Sequence, residues 1–207
     1  MTPPVLVPFR TVDTAVVGYQ EHPHGRRRVT IEHRPLDGVT PAEVLDWFRS
    51  LGRTMVYDGQ VVDRYLAWHP VDHVRWELAR PAPGGGAAEG ARFRIVERFG
   101  GRPELAVDVI DRVEKLDATG IRLVQRVAGV VVFQLEHTWS TGRGRTHYVS
   151  MLDIGARSPV FAPVNRVLIH RFPDAMVRAW VRHNIEEVGR LEVLLPQVRS
   201  TPDAVHA

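Results

Sequence analysis

The sequence contains no cysteine among its 207 residues, and this absence excludes several kinds of chemistry. Disulfide bonds, thiolate metal sites and a cysteine nucleophile are all ruled out. Any metal ion must therefore be held by nitrogen and oxygen ligands, which histidine and carboxylate side chains supply.

Lysine is nearly absent as well, because Lys115 is the only lysine among the 27 basic residues. The pI is about 9.8, but the formal net charge is only +3 and the arginines are interspersed with Asp and Glu. Nucleic-acid-binding surfaces gather their basic residues into a patch or stripe. We therefore expect no nucleic-acid partner.

Long apolar runs are also missing. No stretch approaches the roughly 18 apolar residues of a membrane span, and the first twenty residues show neither the basic start nor the apolar run of a signal peptide. We expect no membrane partner and a cytoplasmic location. Hydrophobic residues make up 44% of the chain, enough for a substantial core. The oligomeric state stays open, with a homodimer among the alternatives.

The chain length suits one large domain with flanking segments. Residues 1–25 are rich in proline and histidine and indicate an irregular N-terminal arm. Residues 26–198 should form the folded, metal-binding domain, and residues 199–207 a flexible tail.

The order of predicted elements defines the fold class. Thr40, Pro41 and Glu43 form a capping box that predicts a helix over 41–51. Strand patterns cover 28–34, 91–99, 104–114, 119–126, 128–139 and about 145–154, and a long helical pattern covers 174–195. The short links between strands favour an antiparallel meander. The sequence thus predicts an α+β helix-grip fold, in which a curved antiparallel sheet surrounds a long C-terminal helix and a cavity.

The C-terminal helix carries the most informative polar residues. At about 100° per residue, one narrow arc contains Met176, Trp180, His183, Glu187, Leu191 and Leu194. Glu186 lies off this arc and is expected to face solvent. A solvent-exposed His–Glu pair at i,i+4 is the simpler explanation of this spacing. It predicts polar residues around the pair, whereas the neighbours on this arc are apolar. Burying an unpaired carboxylate is costly, so Glu187 needs a cation or a proton, and a buried pair without metal remains an alternative.

Two strand patterns place further polar residues inward. Glu97 alternates in phase with Phe93, Ile95 and Phe99, while arginines occupy the opposite face. A second inward carboxylate near a histidine favours a divalent ion. His137 alternates in phase with apolar neighbours on the 128–139 strand and is expected to line the same cavity. A core histidine bonded to backbone is the alternative for His137.

The segment from Tyr65 to His73 contains two histidines, and periodicity does not decide between them as ligands. If 72–78 is a strand, alternation places His73 opposite Val74, Trp76 and Leu78, unless a bulge intervenes. His69 and His73 therefore both stay open from the pattern alone.

Three segments resemble the 2,4-diacetylphloroglucinol hydrolase family. They are Gly38–Phe48 (GVTPAEVLDWF), Tyr65–His73 with its Trp-His-Pro-Val-Asp-His ending, and His183–Pro196 (HNIEEVGRLEVLLP). Together they span much of the chain from about residue 17 to 198. The resemblance implies a Bet v 1/START-like catalytic domain that binds Zn²⁺ through two histidines and two glutamates. It assigns these ligands to His73, Glu97, His183 and Glu187, and so selects His73 over His69.

The same resemblance implies hydrolysis of a carbon–carbon bond between a phenolic ring and an acyl group. The expected substrate is a small hydrophobic or phenolic molecule, such as an acylated phenol or a β-diketone-like compound. Tyr65 matches a tyrosine that would bond a phenolic hydroxyl, and His137 is our candidate for proton transfer. Trp76 departs from the family, since a small polar residue would be expected there. The alternatives are a non-catalytic START-like protein that binds a hydrophobic ligand and a metal-free polyketide cyclase-like enzyme.

Overall fold

The structure is a computed structural model that describes residues 3–200. Ten strands and four helices follow one another along these residues. The strands are β1 (Ala15–His22), β2 (Arg26–His33), β3 (Thr54–Tyr57), β4 (Gln60–Asp63), β5 (His73–Arg80), β6 (Arg92–Arg98), β7 (Ala106–Asp117), β8 (Gly120–Val127), β9 (Val130–Gly142) and β10 (Arg145–Ile154). The helices are α1 (Pro41–Arg49), α2 (Arg64–Trp68), α3 (Ala162–Arg171) and α4 (Asp174–Ser200).

Eight strands form one antiparallel sheet in the order β1-β2-β10-β9-β8-β7-β6-β5, and β3 pairs with β4 in a separate hairpin. The strands from β5 to β10 are sequential neighbours, so the predicted antiparallel meander is confirmed. The capping box at the start of α1 is also present, because Thr40 and Glu43 exchange their hydrogen bonds. The α+β helix-grip fold predicted from the sequence is therefore confirmed.

Helix α4 packs its apolar arc against the sheet through two groups of core residues. Trp180 and Ile185 belong to one group, together with Val29 and Leu152 of the sheet. Leu191 and Leu194 belong to the other group, which also contains core residues of α1 and α2. The arc predicted from the sequence is buried along its whole length. His183 and Glu187 are thus held between the two apolar groups.

The predicted flanking segments differ from the structure. Residues 15–22 lie in the segment predicted as an irregular arm, but they form β1 and pair with β2 at the edge of the sheet. Gly18 and the polar run after it obscure the alternation, while Ala15 and Val17 still pack against the core. At the other end, residues 199 and 200 continue α4, and the rest of the predicted tail lies outside the described residues. Within residues 3–200, no helix has the length and apolar character needed to cross a membrane.

Candidate metal centre

Four side chains from three elements converge beneath α4. His73 begins β5, Glu97 lies near the end of β6, and His183 and Glu187 lie one turn apart on α4. The Nε2 atom of His73 is 3.5 Å from Glu97 Oε1 and 3.5 Å from Glu187 Oε2. The Nε2 atom of His183 is 3.8 Å and 3.7 Å from the same two oxygens. The structure thus brings together all four residues to which the resemblance assigns metal ligation.

A β-bulge places His73 in this cluster. His73 pairs with Glu97 across β5 and β6, and the register then shifts between His73 and Arg75. Because a bulge adds one residue to the strand, it reverses which face the following side chains point to. His73 therefore faces the cluster, although strict alternation would turn it to the opposite face. His69 lies outside the cluster, and its Nε2 contacts Glu186 instead.

The donor set fits a zinc ion. In a tetrahedral site with metal–ligand bonds of about 2.0–2.1 Å, neighbouring ligand atoms are roughly 3.3 Å apart, close to the observed 3.5–3.8 Å. His73 Nε2 is fully buried and has no hydrogen-bond partner among the described residues. Buried polar atoms without partners are rare. The lone pair of this nitrogen is therefore available to bind a metal ion.

The outer contacts fix both histidine rings with Nε2 toward the cluster. The Nδ1 atom of His73 lies 2.6 Å from the carbonyl oxygen of Tyr65, which can only accept, so Nδ1 carries the proton. His183 Nδ1 lies 3.0 Å from Asp72 Oδ2, and that carboxylate also accepts from the Gly100 amide. This is the carboxylate–histidine arrangement common behind metal ligands.

The two carboxylates are also oriented by neighbours. Asn184 Nδ2 donates to Glu187 Oε1 over 2.7 Å, which leaves Oε2 toward the histidines. The Tyr65 hydroxyl donates to Glu97 Oε1 over 2.6 Å, and its ring stacks on the His73 ring at 3.8 Å. Tyr65 therefore lies directly against the cluster.

The electrostatics of the cluster favour bound positive charge. Burial raises the pKa of Glu187 to about 8, with the Glu97 carboxylate adding to the rise and His183 opposing it. Burial acts to lower the pKa of His183, but the carboxylates of Glu97 and Glu187 outweigh it and raise that pKa to about 9. Without a metal, protons would have to supply the positive charge that the buried carboxylate of Glu187 requires.

Glu186 does not face solvent, and the expectation that it would is wrong. It is 7% exposed and its Oε2 lies 3.1 Å from His69 Nε2, while Oε1 accepts from Arg182. Phe9, from the N-terminal segment, stacks on the His69 ring at 4.6 Å. This segment and the loop with His69 cover the side of α4 that the helical pattern assigned to solvent.

An apolar cavity opens beside the cluster, between the sheet and α4. Glu97, His183 and Glu187 line one part of it, and the remaining wall is mostly aliphatic and aromatic. Its volume is about 70 Å³, whereas ligand pockets typically measure about 300–1,000 Å³. A ligand larger than a small fragment therefore requires the cavity to widen.

His137 does not line this cavity, although its neighbour Leu135 does. The inward face of β9 continues toward α1, where Phe48 stacks on the His137 ring at 5.9 Å. His137 Nδ1 and His33 Nε2 both lie 2.9 Å from the Ser150 hydroxyl, which bridges them. Burial lowers the pKa of each histidine to about 3. Both rings are thus neutral at neutral pH, and the proton-transfer role of His137 stays a prediction.

The buried His33 should make folding sensitive to acid. An unfolded histidine binds its proton below about pH 6.5, whereas folded His33 does so only near pH 3. The unfolded state therefore binds more protons between these values, and stability falls as the pH is lowered. From pH 7 to pH 5 we expect His33 to account for a loss on the order of 2 kcal/mol. Urea unfolding of wild type and His33→Gln at both pH values measures this, and an equal loss in both proteins would contradict it.

Sequence reasoning missed three polar residues of this region. Asp72 orients His183, and Asn184 orients Glu187. Asp111 on β7 lines the cavity and accepts a hydrogen bond from Gln125 Nε2 over 2.8 Å. Asp111 could have been identified from the sequence, because it alternates in phase with Val107 and Val109 along one strand.

Trp76, which departs from the family pattern, does not line the cavity. Its ring packs on Gly52, where an added Cβ would approach the ring to 2.6 Å, and it meets Phe93 edge-on at 5.0 Å. Trp76 therefore contributes to the core between β5 and the loop after α1.

Comparison with known proteins identifies the fold. The chain is similar to the crystal structure of Ara h 8.0201, with a TM-score of 0.51 and 10% identity over 83% of this chain and 98% of that one. Weaker similarity is found to protein Ms6760 (TM-score 0.48, 10% identity, 86% and 99% coverage) and to a START superfamily protein (0.39, 15%, 83% and 99%), both from Mycobacterium smegmatis. The fold is Bet v 1/START-like.

The comparisons extend to fold and no further. No protein-family model matches the sequence, and no curated protein matches it. At sequence identities of 10–15%, a shared fold does not imply a shared activity. The activity must therefore be argued from the side chains of the site.

Proposed function

We propose that the chain is a zinc-dependent hydrolase that cleaves a carbon–carbon bond in a small acylated phenol or β-diketone-like compound. The observation that carries the proposal is the cluster of His73, Glu97, His183 and Glu187, in which the buried His73 Nε2 lacks a partner. The cavity beside the cluster has the apolar lining that the hydrophobic body of such a substrate needs, and it must widen to admit one.

The chemistry of the cleavage defines what each group must do. Zinc held by the two histidines and two glutamates would supply, at a fifth coordination position, a Lewis acid for a carbonyl oxygen and a water of lowered pKa. Water adds to the acyl carbon, the bond to the ring carbon breaks, and that carbon takes a proton as the carboxylic acid leaves. The protein must therefore hold the phenolic ring and provide a path for one proton.

We propose that Tyr65 holds the ring, although it reaches the cavity only through its bond to Glu97. Its hydroxyl proton is committed to Glu97 Oε1, and a phenolic oxygen that donates can still accept. A substrate hydroxyl can therefore donate to Tyr65, with its acyl group toward the cluster, only if the cavity widens past Glu97, because Tyr65 does not line it. We propose His137 for proton transfer; because its ring does not line the cavity, this role requires a bridging water or a movement of the cavity wall.

Removal of metal should lower stability measurably. The four ligands come from β5, β6 and α4, so metal bound only by the folded state stabilises all three together. At saturating zinc we expect on the order of 2–4 kcal/mol of stabilisation. Thermal unfolding with and without a chelator measures it. A melting temperature that does not move, in protein shown to lose its metal, would contradict the expectation.

Activity is tested by incubating zinc-loaded protein with a panel of acylphloroglucinols and β-diketones and measuring the released carboxylic acid. The proposal predicts acid release that stops on chelation and returns with zinc. Release that survives chelation would favour the metal-free cyclase-like alternative. Binding without release, by protein that contains no metal, would favour the non-catalytic ligand-binding alternative.

A further inference from the structure

A second polar group lies in the cavity wall, away from the metal ligands. Asp111 is 2% exposed and lines the same cavity as Glu97, His183 and Glu187. On β7, Val107 pairs with Glu97 and Asp111 pairs with Phe93. Asp111 lies four positions after Val107, which is about 13 Å along the strand backbone at 3.3 Å per residue. The metal ligands and Asp111 therefore occupy different ends of one apolar space.

The surroundings of Asp111 leave its hydrogen-bonding capacity largely unused. Among the described residues, its one hydrogen-bond partner is Gln125, whose Nε2 donates to Oδ1. No arginine or lysine pairs with it within residues 3–200, although the chain is rich in arginine. A carboxylate can accept several hydrogen bonds, and its burial beside a single neutral donor is unfavourable. Burial raises the pKa of Asp111 to about 6, and the charge of Glu97 adds to the rise while the Gln125 hydrogen bond opposes it.

We propose that Asp111 determines specificity by accepting a hydrogen bond from a hydroxyl group at the end of the ligand remote from the metal centre. This rests on the proposed function, because it takes the acyl or diketone end to lie at the cluster. It narrows the substrate class to elongated, mainly apolar carbonyl compounds with a distal hydroxyl. Ile95 and Val109 form the apolar wall between the two ends.

Matched ligands isolate this hydrogen bond. The probes are 1-phenylbutane-1,3-dione and its para-hydroxy and para-methoxy analogues, which share a diketone and differ only at the far end of the ring. Calorimetry with zinc-loaded wild type should show the para-hydroxy probe binding roughly 10–100-fold more tightly than the unsubstituted one. The para-methoxy probe, which cannot donate, should show no such gain.

Two variants of the cavity wall and one control complete the test. Asp111→Leu should bind the hydroxy and unsubstituted probes equally, while zinc content stays at the wild-type value. Asp111→Leu combined with Gln125→Leu removes both partners of the bond, so neither is left buried and unpaired, and should behave the same way. Asp108→Leu, on the solvent face of the same strand, should keep the wild-type preference.

The outcomes separate this inference from the proposed function. If zinc-loaded wild type binds the probes without preferring the hydroxyl, or if the Asp111 variants keep the preference, the role of Asp111 is wrong and the metal centre is unaffected. If zinc-loaded wild type binds none of the three probes, the proposed substrate class fails and the inference falls with it.

Discussion

Glu187→Gln and His183→Ala should each abolish stable zinc binding. Both residues lie on the buried face of α4 and contribute one of the four converging ligand atoms. Loss of a residue that only hydrogen-bonds to a metal ligand typically lowers metal affinity about 10–100-fold. Loss of a ligand itself should therefore lower zinc affinity at least about 100-fold. Zinc content after dialysis, by elemental analysis, measures the effect.

Glu186→Gln is the matched control for Glu187→Gln. It makes the same change one residue earlier on the same helix, at a position that is equally buried but bonded to His69 and Arg182. Zinc content should stay near the wild-type value, because the Glu186 carboxylate is not one of the four ligands. Equal loss of zinc from both variants would show that the helix face does not define the site.

Catalytic turnover should fall sharply in two variants that keep their zinc. His137→Gln removes the proposed proton carrier, and such residues typically contribute roughly 10²–10⁴-fold in rate. Tyr65→Phe removes the hydroxyl that donates to Glu97 and that we propose accepts from the substrate, and we expect this to lower turnover roughly 10–100-fold. Acid release under saturating substrate, on protein of measured zinc content, gives both values.

Two substitutions in the neighbourhood serve as controls for turnover. His33→Gln changes the other histidine bonded to Ser150, and Tyr57→Phe removes a buried hydroxyl that bonds Arg190. Both should keep wild-type turnover, because neither group is assigned a role in the reaction. If His33→Gln and His137→Gln lower turnover equally, the loss comes from disturbing the hydrogen bonds around Ser150. It would then give no support to His137 as the proton carrier.

The sheet and the main helix could be predicted because local periodicity decided them. Five of the six predicted strands lie in the sequential meander, where each short link makes a strand pair with the next one along the chain. The arc through His183 and Glu187 follows from helix geometry alone. Glu97 follows equally from alternation along β6, whose inward phase the structure retains.

Features that depend on distant parts of the chain could not be predicted in this way. Glu186 is buried because His69 and the N-terminal segment cover that side of α4, and no local pattern contains this contact. His73 reaches the cluster through a bulge, which alternation cannot foresee. Asp72 and Asn184 were missed because they orient ligands rather than supply them.

Elemental analysis of wild-type protein, purified without a histidine tag and dialysed against metal-free buffer, tests the central claim most directly. The convergence of two histidine nitrogens and two carboxylate oxygens predicts about one zinc ion per chain. Protein that carries no stoichiometric divalent metal, and that takes up none when zinc is added back, would contradict the metal centre and the hydrolase proposed from it.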